Sequence, residues 1–209
     1  VKIELKQAGK KYLREWIFRN ASLSIHPSEK VVILGPNGSG KSTLLQLFSG
    51  SLLPTEGKVT HSDEGQAIEP ESVFRKLTYA APYLELIEEF TLEELINFHF
   101  SFKSPLYRMK YREILDHSGL ASSEKKVFRY FSSGMKQRVK LALAIFSDVD
   151  LLLLDEPCSN LDSAAIQWYQ NLVSVHAGGR TIIVCSNNQA EEYSFCDRRI
   201  MMADLKMMQ

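Results

Sequence analysis

Apolar residues recur along this chain in two rhythms. Continuous apolar runs of strand length fall at 31–34, 151–154 and 182–185. Runs of this kind predict strands buried on both faces. Weaker patterns at 1–5, 21–25, 77–81 and 199–203 predict further strands. Between them the period changes to that of a helix. Helices are predicted at 41–48, 111–118, 132–146 and 163–176. Another follows Thr91, with Leu92, Leu95, Ile96 and Phe98 to Phe100 as its apolar face. Thr91 and Glu94 have the spacing of a capping box. Gly119 suits a C-cap, and Gly178-Gly179 a helix stop. Residues 54–57 read as a turn and 61–71 as a polar connection. Strands alternating with helices predict an α/β fold with a largely parallel sheet. The all-helical middle reads as an insertion. One domain over 1–209 is expected, with a core of 1–81 and 147–209 and a helical subdomain of 82–146.

Composition narrows the class without naming a chemistry. The 209 residues are 44 % apolar and 24 % charged, which fits a globular protein and excludes collagen-like or disordered chains. Lys plus Arg and Asp plus Glu both number 25, so the net charge is zero. A general nucleic-acid binder needs a basic surface, so no nucleic acid is expected as partner. Cys158, Cys185 and Cys196 form neither a disulfide framework nor a CxxC metal pair, and a reducing compartment fits them best. No run approaches the ~18 apolar residues that span a bilayer.

Two motifs carry the chemistry. Gly35-Pro36-Asn37-Gly38-Ser39-Gly40-Lys41-Ser42 fits G-x-x-x-x-G-K-[ST], set between a predicted strand and a predicted helix that continues through Thr43. Glycines allow the backbone to curl so that successive N–H groups point at phosphate oxygens. The helix adds its positive end. Lys41 reaches the β- and γ-phosphates, and the Ser42 hydroxyl ligates Mg²⁺. The second motif is the apolar run 151–154 ending in Asp155 and Glu156. Such a strand delivers both carboxylates to the sheet edge where α/β proteins bind ligands. Asp155 is the candidate for Mg²⁺ or its water, and Glu156 for the general base.

Between the two lies Phe131-Ser132-Ser133-Gly134-Met135-Lys136-Gln137-Arg138, and after Glu156 comes Pro157-Cys158-Ser159-Asn160-Leu161-Asp162. This ordered set resembles the ATP-binding cassette family, the ATPase subunits of ABC transporters. The resemblance implies a P-loop NTPase core with an N-terminal antiparallel β-subdomain and an inserted helical subdomain. It implies that Ser132 and Gly134, at a helix start, contact the γ-phosphate held by a second subunit. Asp162 would couple the two sites across a head-to-tail dimer, either of identical chains or with a related cassette. Asp162 also reads as an ordinary helix N-cap. Tyr12 precedes Gly35 by 23 residues, where the family places an adenine-stacking aromatic. Trp16 and Phe18 compete for that role.

Two positions depart from the family pattern. Its glutamine after the strand at 77–81 is replaced by Pro82 and Tyr83, with Tyr83 and Glu85 as candidate substitutes. Its histidine facing the γ-phosphate falls at Asn187, with Ser186 as competitor. Asparagine donates a hydrogen bond but has no charge. Slow Mg²⁺-dependent ATP hydrolysis is therefore expected, with Glu156, Lys41 and Asn187 as the catalytic set. The resemblance implies a cytoplasmic subunit on the inner face of the membrane, held by a transmembrane permease subunit. The helical segment 82–146 is the expected docking surface. The alternative is a soluble cassette ATPase acting on a protein or ribosome assembly, which the missing glutamine favours.

Overall fold

Two sheets meet along the first third of the chain. In the computed structural model, which describes residues 1–207, β1 (Lys2–Tyr12) and β2 (Glu15–Ile25) form a long antiparallel hairpin. Next come β3 (Lys30–Leu34), α1 (Lys41–Phe48), β4 (Glu56–Asp63) and β5 (Gln66–Ile68). A 3-10 helix (Pro70–Lys76) leads into β6 (Leu77–Ala80). The helical middle holds α2 (Leu92–Phe102), α3 (Tyr111–Ser118) and α4 (Ser133–Ile145). The chain then alternates through β7 (Leu151–Asp155), α5 (Ser163–His176), β8 (Thr181–Ser186), β9 (Arg198–Met201) and α6 (Met202–Met207). One sheet is antiparallel, ordered β2-β1-β4-β5, and the other is parallel, ordered β6-β7-β8-β3-β9. The expected α/β class is therefore observed; residues 208–209 of the expected domain span lie outside the described residues.

The continuous apolar runs are explained by the two faces of the parallel sheet. Val32, Leu34, Leu152, Leu154, Ile182 and Val184 pack into one cluster with α2 to α5. Their neighbours Val31, Ile33, Leu151, Leu153, Ile183 and Cys185 pack into the other, with α1 and the β1–β2 hairpin. Successive side chains of a strand point to opposite faces, so burying both faces removes the alternation. The helical middle shares the first cluster with the sheet through Phe128, Val139, Leu143 and Phe146.

Helix termini follow their caps. The Thr91 hydroxyl accepts the Glu94 N–H, while Glu94 accepts the Thr91 N–H at 2.7 Å. Ser132 caps α4, and Gly119 closes α3 in the left-handed region at φ 67°.

Several predicted boundaries are corrected. The strand predicted at 199–203 ends at Met201, and α6 replaces its end. Met202 and Leu205, three apart, are the buried pair, which is a helical spacing packed onto the β1–β2 layer. The predicted turn at 54–57 instead opens β4, which starts at Glu56. The polar connection at 61–71 contains the end of β4 and all of β5. Glu64 and Gly65 turn that hairpin with φ of 48° and 82°, as a primed two-residue turn requires. β5 is the edge strand and β4 joins it to β1; the side chains of both are mostly exposed or half-buried, so no apolar rhythm marks them. The strands at 1–5 and 21–25 extend to Tyr12 and back to Glu15 through stretches where exposed positions likewise break the rhythm, with register breaks beyond Leu5.

Candidate active site

The parallel sheet brings three strand ends together. Leu34 pairs with Ser186, and Asp155 with Cys185, so the loops after β3, β7 and β8 emerge side by side. Gly35 to Gly40, Asp155 with Glu156, and Asn187 therefore share one edge, the C-terminal edge at which open α/β sheets bind ligands.

The loop after β3 is shaped by its glycines. Gly38 and Gly40 have φ of 77° and 103°. A Cβ on Gly40 would come within 2.3 Å of Ile17 Cγ2 on the hairpin, so only glycine fits beneath β2. Lys41, only 4 % exposed, folds back over the loop; its ammonium donates to Gly35 O at 2.9 Å and Pro36 O at 3.3 Å. The same Nζ lies 3.8 Å from Glu156 Oε1. Ser39 is buried and its hydroxyl has no partner. Pro36, Asn37 and Gly38 are exposed, and Ser42 and Thr43 half-buried in the first turn of α1.

Glu156 leaves β7 with φ of 43°, a conformation that costs on the order of 1–3 kcal/mol for a non-glycine residue. Its N–H, donating to Cys185 O at 2.9 Å, holds that turn. Asp155 is 1 % exposed. Its Oδ2 accepts from the Tyr83 hydroxyl at 2.9 Å, and its Oδ1 is buried without a partner. A buried carboxylate oxygen with no donor fits a cation or its water, so these residues suit a divalent ion. Tyr83 in turn hydrogen-bonds Tyr79. Burial pushes the Tyr83 phenol up to about 12 and Tyr79 further, so both remain protonated donors. Glu85 instead lines a groove with Leu84 and Leu86. Of the two candidate substitutes for the missing glutamine, Tyr83 is the one that reaches Asp155.

The remaining predicted residues lie elsewhere. Ser132 Oγ accepts the Met135 N–H at 3.2 Å. A Cβ on Gly134 would sit 2.8 Å from Asn160 O, and Gln137 Nε2 donates to Pro157 O at 3.0 Å. The start of α4 is thus seated on the loop after Glu156. Among the described residues, no hydrogen bond or ion pair joins Ser132 or Gly134 to residues 35–42. Asp162 caps α5, accepting from the Ala165 N–H at 2.8 Å. Tyr12 ends β1, 45 % exposed, with the Lys10 ammonium 5.3 Å from its ring centre. Trp16 is half-buried and engaged by both Lys11 and Arg19, and Phe18 is fully buried, so Tyr12 is the most exposed of the three rings. Asn187 is exposed, while Ser186 is buried and accepts the Gln189 N–H. Sequence reasoning missed Glu192, a buried carboxyl that accepts the Cys158 N–H at 3.1 Å. Burial, reinforced by Glu156 and Asp155, raises it to about 7. Nothing in the local pattern distinguishes it from its exposed neighbour Glu191.

Residues 18–159 match the ABC transporter family model, which spans both chemical motifs. The chain belongs to the ABC transporter family. An ABC transporter ATP-binding protein of Nostoc sp. is 35 % identical over 86 % of this chain and 55 % of its own length. The sulfate/thiosulfate import ATP-binding protein CysA of Mesorhizobium japonicum is 31 % identical, over 97 % of this chain and 61 % of its own. The chain thus spans under two thirds of these relatives' length. In fold, it is similar to a bacterial Atm1-family ABC exporter solved with ATP bound. The TM-score is 0.82 at 23 % identity, over 96 % of this chain and 37 % of that one.

Proposed function

We propose that this chain is the ATP-binding and hydrolysing subunit of an ABC transporter, driving a separate transmembrane subunit through ATP-dependent dimerisation. The observation that carries this reading is the meeting of Lys41, Asp155, Glu156 and Asn187 on one edge of the parallel sheet.

Backbone N–H groups of residues 37–42 bind the triphosphate, and Lys41 swings from Gly35 O and Pro36 O to the β- and γ-phosphates. Ser42 and Asp155 hold Mg²⁺, which when bound neutralises charge on the phosphate oxygens. Glu156 orients the attacking water and takes its proton. Asn187 donates one neutral hydrogen bond to the transition state where a histidine would place a charge, so turnover is slow. Tyr12 offers its exposed ring to adenine.

The bonding of Ser132, Gly134 and Asp162 to their own helices and the 157–160 loop, rather than to residues 35–42, supports a site completed by a second chain. A C2 or pseudo-C2 pair would bring each α4 start onto the partner's nucleotide. A groove of about 320 Å³, lined by Phe74, Leu77, Tyr79, Leu86, His99 and Leu143, lies between the sheet and the helical segment 82–146. Its apolar lining supports docking of a transmembrane subunit. Among the described residues no helix is long and apolar enough to cross a membrane, so the chain would sit at the cytoplasmic face through that partner.

The test is Mg²⁺-ATP-dependent dimerisation of Glu156→Gln, followed by sedimentation, alongside ATP binding by the wild type. A dimer formed with ATP and absent without it is expected. A wild type that binds no ATP overturns the reading, and a Glu156→Gln chain that binds ATP but stays monomeric overturns the sandwich.

A further inference from the structure

Tyr83 stands where the sequence departs from its family, and its hydroxyl bridges Tyr79 and Asp155. A phenol has one proton and two acceptor positions. The proton goes to Asp155 Oδ2 at 2.9 Å. The Tyr79 hydroxyl must then donate to Tyr83, with the two rings edge-on at 80°. One oxygen therefore joins strand β6 to strand β7 at a side chain that would hold a cation.

The placement of protons gives this joint a direction. Asp155 has two carboxylate oxygens, and Tyr83 occupies Oδ2, which leaves the buried Oδ1 as the one without a donor. Tyr83 thereby acts through Asp155, whose second oxygen it leaves open to the metal.

We propose that Tyr83 is a positioning residue for the metal side of the site. Its hydroxyl fixes Asp155 through Oδ2, so that Asp155 Oδ1 faces a divalent cation. The Tyr79–Tyr83 pair thereby replaces, by second-layer hydrogen bonding, the ligand that Pro82 cannot supply. Tyr79 also lines the apolar groove, so the same pair links that groove to the cation-binding carboxylate.

This inference rests on the reading of Ser42 and Asp155 as the metal side of an ATP site. The test is binding of a fluorescent ATP analogue to the wild type, Tyr83→Phe and Tyr79→Phe, first in EDTA and then across a Mg²⁺ titration. Free Mn²⁺, counted by electron paramagnetic resonance, gives a second measure of cation affinity. For Tyr83→Phe the half-saturating Mg²⁺ should rise about ten-fold, the usual loss when an outer hydrogen bond to a ligand is removed. Affinity in EDTA should stay within about two-fold of the wild type, as expected where only the metal's supports are lost. Tyr79→Phe, which keeps the Tyr83–Asp155 bond, should raise it about three-fold. An unchanged Mg²⁺ requirement in Tyr83→Phe overturns the proposal. A lowered requirement also overturns it, because the hydroxyl would then compete with the cation. So does an equal loss of affinity in EDTA, which marks a structural role alone. Should Tyr83→Phe fail to fold, an unshifted Tyr79→Phe overturns the proposal by itself. A wild type that binds no nucleotide in EDTA defeats the underlying ATP reading instead, which separates the two failures.

Discussion

Glu192 is a carboxyl that the fold holds against its own charge. It is 1 % exposed, its Oε2 has no partner, and burial raises it from 4.5 to about 7. The folded state therefore binds its proton between pH 4.5 and 7, where the unfolded chain has released it. The resulting stability is fully present below pH 4.5 and lost as pH rises through 7. At 1.36 kcal/mol per unit, the full shift is worth about 3 kcal/mol, of which about 2.5 kcal/mol falls between pH 5 and 8. Glu192→Gln keeps an acceptor for the Cys158 N–H and cannot ionise. The Tm of Glu192→Gln minus that of the wild type should thus grow by about 5–10 °C from pH 5 to pH 8 in a domain of this size. Scanning calorimetry of both proteins at the two pH values measures it, and other titrating groups cancel in the difference. A Tm difference that stays constant across pH would refute the reasoning, because Glu192 would then titrate alike folded and unfolded.

Asn187→His should raise steady-state ATP turnover about ten-fold at pH 7 by placing an ionisable donor at the end of β8; no gain in rate means that Asn187 does not face the reacting phosphate. Gly40→Ala should cost about 3 kcal/mol in urea denaturation, from the left-handed φ and the contact with Ile17. Pairing it with Ile17→Ala should recover the contact part and leave the backbone part. Arg180, 6 % exposed, donates to Ile145 O at 2.9 Å, Ser147 O at 3.1 Å and His176 O, tying together the ends of α4 and α5. Arg180→Met should destabilise by about 3 kcal/mol, read as a lowered urea midpoint with m unchanged.

Features set by a few adjacent residues were legible in the amino-acid order. The helices at 41–48, 111–118 and 163–176 follow from period and caps, and the structure has the same bounds. The glycine loop and the Asp155-Glu156 strand end are equally local, because backbone shape and side-chain identity within eight residues suffice to make them. Little-buried strands were not legible. β4 and β5 bury little on either face, so the pairing of β4 with β1 and of β5 with β4, rather than an apolar rhythm, makes them strands. The segment Met202–Met207 is helical for a similar reason, since packing on the hairpin overrode an apolar run that looked extended.

What the sequence by itself determined is the kind of ligand: a phosphate loop, a strand ending in two carboxylates and a capped helix in one order. What only the tertiary structure decided is which side chains meet. Parallel pairing of β7, β8 and β3 places Glu156 3.8 Å from Lys41, 115 residues earlier in the chain. The same packing distinguishes Tyr83 from Glu85 at Asp155, and buries Glu192 while leaving Glu191 in solvent. Such choices depend on distance through space, and no local pattern encodes that distance.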